Sequence, residues 1–262
     1  MRFAPLPAED GLIDSHCHLD APELAPDVDG VAARAQAAGV GQLLVPAVMA
    51  STFDDVLAMR ERYGCWIAFG LHPIYLDRHR DEHLALLDEY LARHAPVAVG
   101  EIGLDFYLPE LDPARQETLL VEQLKLARKH SLPVVLHVRR SVDRVLKYLR
   151  EQKIECGIAH AFNGSEQQAQ AFIRQGFKLG FGGAMTYSGS RRIRALAATL
   201  PLSSLVLETD APDIRPEYAQ DAPNEPFQLA RFIEVLAQLR GMETASLRRA
   251  LRNNTLAALA LS

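Results

Sequence analysis

The sequence predicts an α/β protein built as one (β/α)8 barrel over residues 1–262. Three observations carry this. Eight short apolar runs alternate with amphipathic segments, the pattern of a parallel sheet wrapped in helices. The length of 262 residues suits a barrel formed as a single domain. Residue types that bind metals recur where the apolar runs stop, which in a barrel is the rim of the active-site mouth.

Leu12-Ile13 opens the first run, which ends at Asp14-Ser15-His16-Cys17-His18. Read as extended chain, this puts Asp14, His16 and His18 on one face and Cys17 in the core, because side chains alternate with a period of two, while the depth of Asp14 favours a hydrogen-bonding role over an additional place beside the metal. Two imidazoles so spaced can hold one metal ion. A helix from Asp27 to Ala38 carries Val28, Val31, Ala32 and Ala35 on one side and stops at Gly39. Leu43 to Val48 reads as a strand buried on both faces. Ser51 is expected to cap a helix to about Arg62, and Trp66 to Leu71 forms a third strand ending at His72. A helix near Glu82 to Arg93 precedes the strand Val97 to Ile102, which contains Glu101. Asp112-Pro113 pairs a capping residue with proline at the first helical position, and Leu120, Leu124 and Ala127 give that helix its buried side.

The remaining strands are Pro133 to His137, Gly157 to His160, Phe177 to Gly182 and Ser204 to Asp210. Helices after Pro226 and near Leu247 close the chain. A doubly wound open sheet is the competing architecture, but the first strand lacks the glycine-rich dinucleotide turn.

Composition narrows the function. The formal net charge of −5 argues against a protein that coats nucleic acid through a broad basic field, while leaving room for a local site on a strand end. Three widely spaced cysteines, the absence of an apolar leader at the start and the absence of a membrane-length apolar run point to a cytoplasmic protein. No sequence pattern specifies a membrane or an obligate protein partner.

Six of the eight expected strand ends carry His, Glu or Asp: His16 and His18, His72, Glu101, His137, His160, and Glu208 with Asp210. Imidazole with carboxylate suits Zn²⁺ or Mn²⁺ better than Ca²⁺, which prefers oxygen alone. Six ligands are natural for two divalent ions, which at about 3.5–4 Å apart can clamp a displacement at phosphorus or polarise a carbonyl. Glu101 is the candidate bridge. Asp210 would bind one ion and take the proton of the attacking water. His79, His83, His94 and His130 fall outside this pattern and are read as solvated.

The motifs resemble the TatD family of metal-dependent deoxyribonucleases, within the amidohydrolase-like barrels, with wording nearest its YjjV-like branch. They are Ile13-Asp14-Ser15-His16-Cys17-His18, Gly70-Leu71-His72-Pro73, Gly100-Glu101-Ile102-Gly103-Leu104-Asp105, Leu132 to His137, His160-Ala161-Phe162-Asn163-Gly164, Leu207-Glu208-Thr209-Asp210-Ala211-Pro212, Pro223-Asn224-Glu225-Pro226 and Asn254-Thr255. The resemblance implies one metal (Zn, Mg or Mn) on His16, His18, Glu101 and Asp210, and a second on Glu101, His137 and His160. It implies phosphodiester hydrolysis with 3′ to 5′ exonuclease action on DNA, with RNA a further substrate. Asn163 departs from the Ser or Thr common there, which bears on the pocket wall rather than on the metals.

Around the ring, His72 is expected to meet a substrate phosphate or form a polar wall, the alternative being a histidine simply held by its neighbours. Arg139 and Arg140 stand where one of them can meet an anionic substrate. Asp105 and Tyr107 line the mouth or brace a loop. Glu208 either orients a ligand histidine or pairs with a buried cation. Gly180 to Gly183 reads as close packing rather than a phosphate loop, and Ser190 to Arg194 as a solvated basic helix face. Two other readings remain. One is a metal-dependent ester or amide hydrolase, such as a D-aminoacyl-tRNA deacylase or a lactonase, although Glu101 in place of a carboxylatable Lys disfavours some lactonases. The other is a barrel that binds metal without turnover.

Overall fold

The computed structural model describes residues 2–261. Eight parallel strands follow one another in chain order: β1 (Leu12–Asp14), β2 (Val40–Pro46), β3 (Trp66–Phe69), β4 (Ala98–Asp105), β5 (Val134–Arg139), β6 (Gly157–Ala159), β7 (Phe177–Phe181) and β8 (Leu205–Leu207). The ends of β8 and β1 approach each other just beyond the strands. Ser15 N–H donates to the Leu207 carbonyl at 3.0 Å, and Asp210 N–H donates to the His16 carbonyl at 2.9 Å. The sheet is thereby nearly closed into a barrel, the TIM-barrel architecture expected.

Period-two alternation sorts the side chains. Ile13, Leu44, Ala68, Ala98, Val135, Ile158 and Val206 pack together inside the barrel. Their strand neighbours, among them Leu43, Ile67, Phe69, Val134, Leu136 and Leu205, pack outward into the helical layer. The interior cluster is completed by Leu256, Ala258 and Leu259 from the last helix, α9 (Thr244–Ala258), and the residue after it. One end of the barrel is thus filled by apolar side chains, of which each Val, Leu or Ile is worth roughly 1.5–3 kcal/mol when fully buried. The polar residues gather at the other end.

The helices are α1 (Val28–Ala37), α2 (Phe53–Tyr63), α3 (Glu82–His94), α4 (Pro113–His130), α5 (Val142–Gln152), α6 (Glu166–Arg174), α7 (Arg191–Thr199), α8 (Leu229–Arg240) and α9. Asp112 caps α4 as its sequence implies, accepting from Ala114 N–H at 2.9 Å. Ser51 does not cap α2. It lies inside a short 3-10 turn, and Thr52 bonds back to Met49 instead. Among the described residues no helix is long and apolar enough to cross a membrane.

Candidate metal centre

Alternation continues past the strand ends and delivers three histidines to the barrel mouth. His137 is two residues beyond Val135, His160 two beyond Ile158, and His72 four beyond Ala68, so each shares the lumen face of its strand. Glu101 reaches the mouth by another route. Val99 and Ile102 both face the helices although three residues apart, because β4 shifts register against β5 between them. This bulge lets Glu101 turn inward. Small neighbours permit it: a Cβ on Gly100 would lie 2.7 Å from the Val135 Cβ, and one on Gly70 2.6 Å from the Gly100 carbonyl carbon.

The first strand also departs from simple alternation. It stops at Asp14, whose carboxylate accepts from His16 N–H at 3.2 Å and from the Thr209 N–H and hydroxyl at 2.9 and 2.5 Å. Asp14 therefore staples β1 to β8 instead of joining the histidines. Its own-backbone bond two residues on bends the chain, so His16 and His18 face the mouth while Cys17 is buried in the outer core.

Glu101 is the hub. Its Oε2 lies 3.1 Å from His16 Nε2 and 3.5 Å from His18 Nε2. Its Oε1 lies 3.1 Å from His72 Nε2, 3.3 Å from His137 Nδ1 and 3.6 Å from His160 Nε2. Asp210 Oδ1 closes one side, 3.6 Å from His16 and 3.7 Å from His18. Asp210 sits in the left-handed region at φ 55°, uncommon outside glycine and found at functional sites. Three groups bring donor atoms within 4.8 Å of one another: His16, His18 and Glu101; His16, His160 and Asp210; and His72, Glu101 and His137. These clusters suit metal binding.

Burial and the contacts within the cluster set the protonation pattern of these side chains. Burial raises the Glu101 carboxyl, but the surrounding imidazoles of His72, His16 and His160 outweigh it and hold it well below the usual range. Burial drives His16 down to about 4. Burial likewise disfavours charge on His160, yet Asp210, Glu208 and Glu101 prevail and lift it to about 10. Asp210 is pushed up to about 6 by burial, against the pull of His160 and His18. His16 Nε2 and His18 Nε2 stand only 3.1 Å apart, and the buried His16 Nδ1 has no hydrogen-bond partner among the described residues. More imidazoles converge on Glu101 than its two oxygens can satisfy, and divalent cations answer that donor set.

A second set of side chains holds the first. Glu208 Oε1 lies 3.2 Å from His160 Nδ1 and accepts from Ala161 N–H at 2.6 Å, and Ser15 Oγ donates to Oε2 at 3.4 Å. Asp105 Oδ2 lies 2.9 Å from His137 Nε2. Gly180 leaves room for Glu208, since a Cβ there would sit 2.1 Å from its Oε2, so the glycine stretch serves close packing.

His72 lines the mouth from within the cluster, and His79 departs from its expectation. His72 is buried in the cluster, and its Nδ1 accepts from Ile74 N–H at 3.1 Å. His79 is buried rather than solvated, its Nε2 held 2.8 Å from the His72 carbonyl. It corrects the solvated reading, and nothing in its helical spacing announced it. Arg139 stays at the rim with its side chain half exposed, 3.8 Å from Asp105 Oδ2. The mouth opens on two sides. A cavity of about 410 Å³ is bounded by Arg139, Asn163, Phe181, Ile193 and Ile214, and another of about 570 Å³ by Asp20, Glu23, Met49, Asp55 and Tyr75.

The family described as TatD related DNase matches residues 13–260. The chain belongs to that family. It is similar to the uncharacterized metal-dependent hydrolase YjjV of Escherichia coli, 44% identical over 247 residues that cover 93% of this chain and 95% of the relative. The crystal structure of that TatD homologue superposes with a TM-score of 0.92 at 43% identity, covering 96% and 98% of the two chains. The 3′-5′ ssDNA/RNA exonuclease TatD of Cronobacter sakazakii is 35% identical over 244 residues, 89% of this chain and 92% of the relative. Family membership and the histidine-carboxylate clusters together make this chain a metal-dependent hydrolase of the TatD type.

Proposed function

We propose that this hydrolase removes nucleotides from the 3′ ends of single nucleic-acid strands, DNA foremost and RNA also, using two divalent metal ions (Zn, Mg or Mn). The observation that carries this reading is the division of labour on Glu101. One carboxylate oxygen faces His16 and His18, and the other faces His72, His137 and His160. A carboxylate with ligands on both sides is what a two-ion centre needs. His16, His18, Glu101 and Asp210 would hold one ion, and Glu101, His137 and His160 the other. His72 joins them at Glu101 Oε1.

Bound there, such ions lower the pKa of water and offset negative charge gathering on a phosphoryl oxygen. The chain supplies the rest. Asp210 accepts the proton of the attacking water on Oδ1. Glu208 and Asp105 keep the imidazoles of His160 and His137 in fixed orientation, which preserves ligand geometry. Arg139 at the rim meets the non-bridging oxygens of the phosphodiester through charge-assisted hydrogen bonds. The strand-end preference is supported by the relative named an ssDNA/RNA exonuclease and by depth: His16 and Glu101 are buried, so the bond to be cut must descend to them. Residues 1–262 act as one barrel domain, in the cytoplasm, with all three cysteines unpaired.

The deciding experiment incubates a 3′-labelled single-stranded oligonucleotide with protein and Mg²⁺, Mn²⁺ or Zn²⁺. Stepwise loss of label, abolished by EDTA, is expected. An uncut strand with fully metal-loaded protein would overturn the nuclease reading and direct the search to ester and amide substrates, aminoacyl-tRNA first.

A further inference from the structure

Beside the metal centre, and sharing Arg139 and Asn163 with it, lies a groove of about 690 Å³ that no ligand residue enters. Four arginines border it: Arg139, Arg140, Arg144 and Arg192. The carboxylate on this wall, Asp143, is engaged by Gln168 Nε2 at 3.2 Å. Arg144 pairs with Glu117 at 3.1 Å and Arg139 lies 3.8 Å from Asp105, which leaves Arg140 and Arg192 without a carboxylate partner among the described residues. The opposite opening of the mouth carries Asp20, Glu23 and Asp55. In a chain of net charge −5, the basic side is therefore local and directional.

Two devices fix these guanidiniums. Tyr107 is 45% exposed, unusual for an aromatic ring, and it carries Arg139 3.8 Å and Arg140 4.5 Å from its centroid. Both lie within cation–π range. Arg140 also adopts φ 54°, a left-handed conformation uncommon outside glycine. Across the groove, Asn163 anchors Arg192, whose Nη2 donates to the Asn163 side-chain oxygen at 2.6 Å and to its carbonyl at 3.3 Å.

We infer that this groove is a backbone track for a single nucleic-acid strand leaving the metal centre, in which Arg140 and Arg192 hold phosphates beyond the scissile one, with Tyr107 and Asn163 as positioning residues. The inference rests on the phosphodiester reading above and extends it from the cut bond to the strand behind it. Phosphates would follow the basic side and be repelled from the carboxylates on the other. A chain that can continue in only one direction from the centre must end there. A paired strand cannot follow, because its complement would have to descend into the buried mouth with it.

The test measures binding of a labelled single strand of about eight nucleotides, within the usual site size, its linkages made resistant to cleavage and the protein loaded with metal. The Arg140→Ala, Arg192→Ala double variant is expected to bind at least about tenfold more weakly. Its log affinity against log salt should also be shallower by about 1.4, two phosphate contacts at about 0.7 each. Tyr107→Ala should weaken binding and Tyr107→Phe should restore it, because the ring face holds the guanidiniums. Unaltered melting temperatures show that the variants fold. Affinity and salt slope equal to wild type in the double variant, no binding by wild type, or equal binding of a blunt duplex would each overturn the track. The same strand with ordinary linkages, bound through these arginines but never cut, would sink the nuclease reading and leave the track standing. A strand cut normally by the double variant, with unchanged affinity, would do the reverse.

Discussion

Asp105 Oδ2 stands 2.9 Å from Nε2 of His137, so that ring turns its Nδ1, not its Nε2, toward Glu101 at 3.3 Å. His160 is held the opposite way, with Nδ1 against Glu208 and Nε2 toward Glu101. The two carboxylates thus set which nitrogen of each ring carries its proton and which offers a lone pair.

Asp105→Asn keeps the size of the side chain but removes the charge that accepts from His137. Metal affinity is expected to fall roughly 10–100-fold, the usual effect of losing a partner behind a ligand. Competition with a chelator measures it. Wild-type affinity in the variant would show that Asp105 only braces its loop, where it also accepts from Tyr107 N–H at 2.9 Å.

Glu101→Ala removes the one group that faces both halves of the cluster. Elemental analysis of the purified variant should give a lower metal-to-protein ratio than wild type. An equal ratio would mean that the two halves hold their ions independently.

Asp210→Asn preserves the backbone bond from Asp210 N–H to the His16 carbonyl, so the barrel seam survives. Turnover should drop by about 10²–10⁴, the span for a lost acid–base group. Turnover within a factor of two of wild type would remove Asp210 from proton transfer.

Gly180→Ala would push a Cβ to 2.1 Å from Glu208 Oε2. The backbone cannot retreat, since Gly180 pairs with Val206 in the sheet. A stability loss of about 1–3 kcal/mol, the cost of overpacking, is expected in urea denaturation, together with weaker metal binding through His160. Stability and metal affinity both at wild-type level would show that Glu208 has room to move.

A pH-dependent contribution should come from Asp88, far from the mouth. Lys129 and His130 hold its carboxyl below the ordinary value through hydrogen bonds at 2.6–2.8 Å. A carboxyl depressed in the folded state stabilises fully above its unfolded pKa of 3.8 and loses that contribution as pH falls through the lower, folded value. The pair is partly exposed, so Asp88→Asn should cost less than about 1 kcal/mol at pH 7. The gap between variant and wild-type melting temperatures should close at strongly acid pH. A gap that persists unchanged there would assign the effect to packing.

Much of the centre was legible because alternation is local. Val135 and His137, or Ile158 and His160, share a face by the geometry of the extended chain alone, and the sequence spacing reports it. Asp112-Pro113 announced its helix for the same reason, since a cap is a contact between neighbours. The limits appear where a residue's partner is distant in sequence. Asp14 shares the face of His16 by alternation and its depth favours a hydrogen-bonding role, but only the fold supplies the partner, Thr209, from across the barrel seam. His79 looked like a surface residue in a polar stretch, and only the fold brings the His72 carbonyl to it.

The sequence by itself determined the barrel, the metal-ligand residue types at the strand ends and the family, because these follow from short-range periodicity and from motifs read in order. The tertiary structure alone decided which way Glu101 points. By alternation it shares the outward face of Val99, and only the register shift of β4 against β5 turns it to the centre. It also decided which nitrogen His137 presents, and that Tyr107, Arg140, Asn163 and Arg192 line one groove. Such features depend on pairing between strands and on packing between loops far apart in the chain, and no local pattern encodes them.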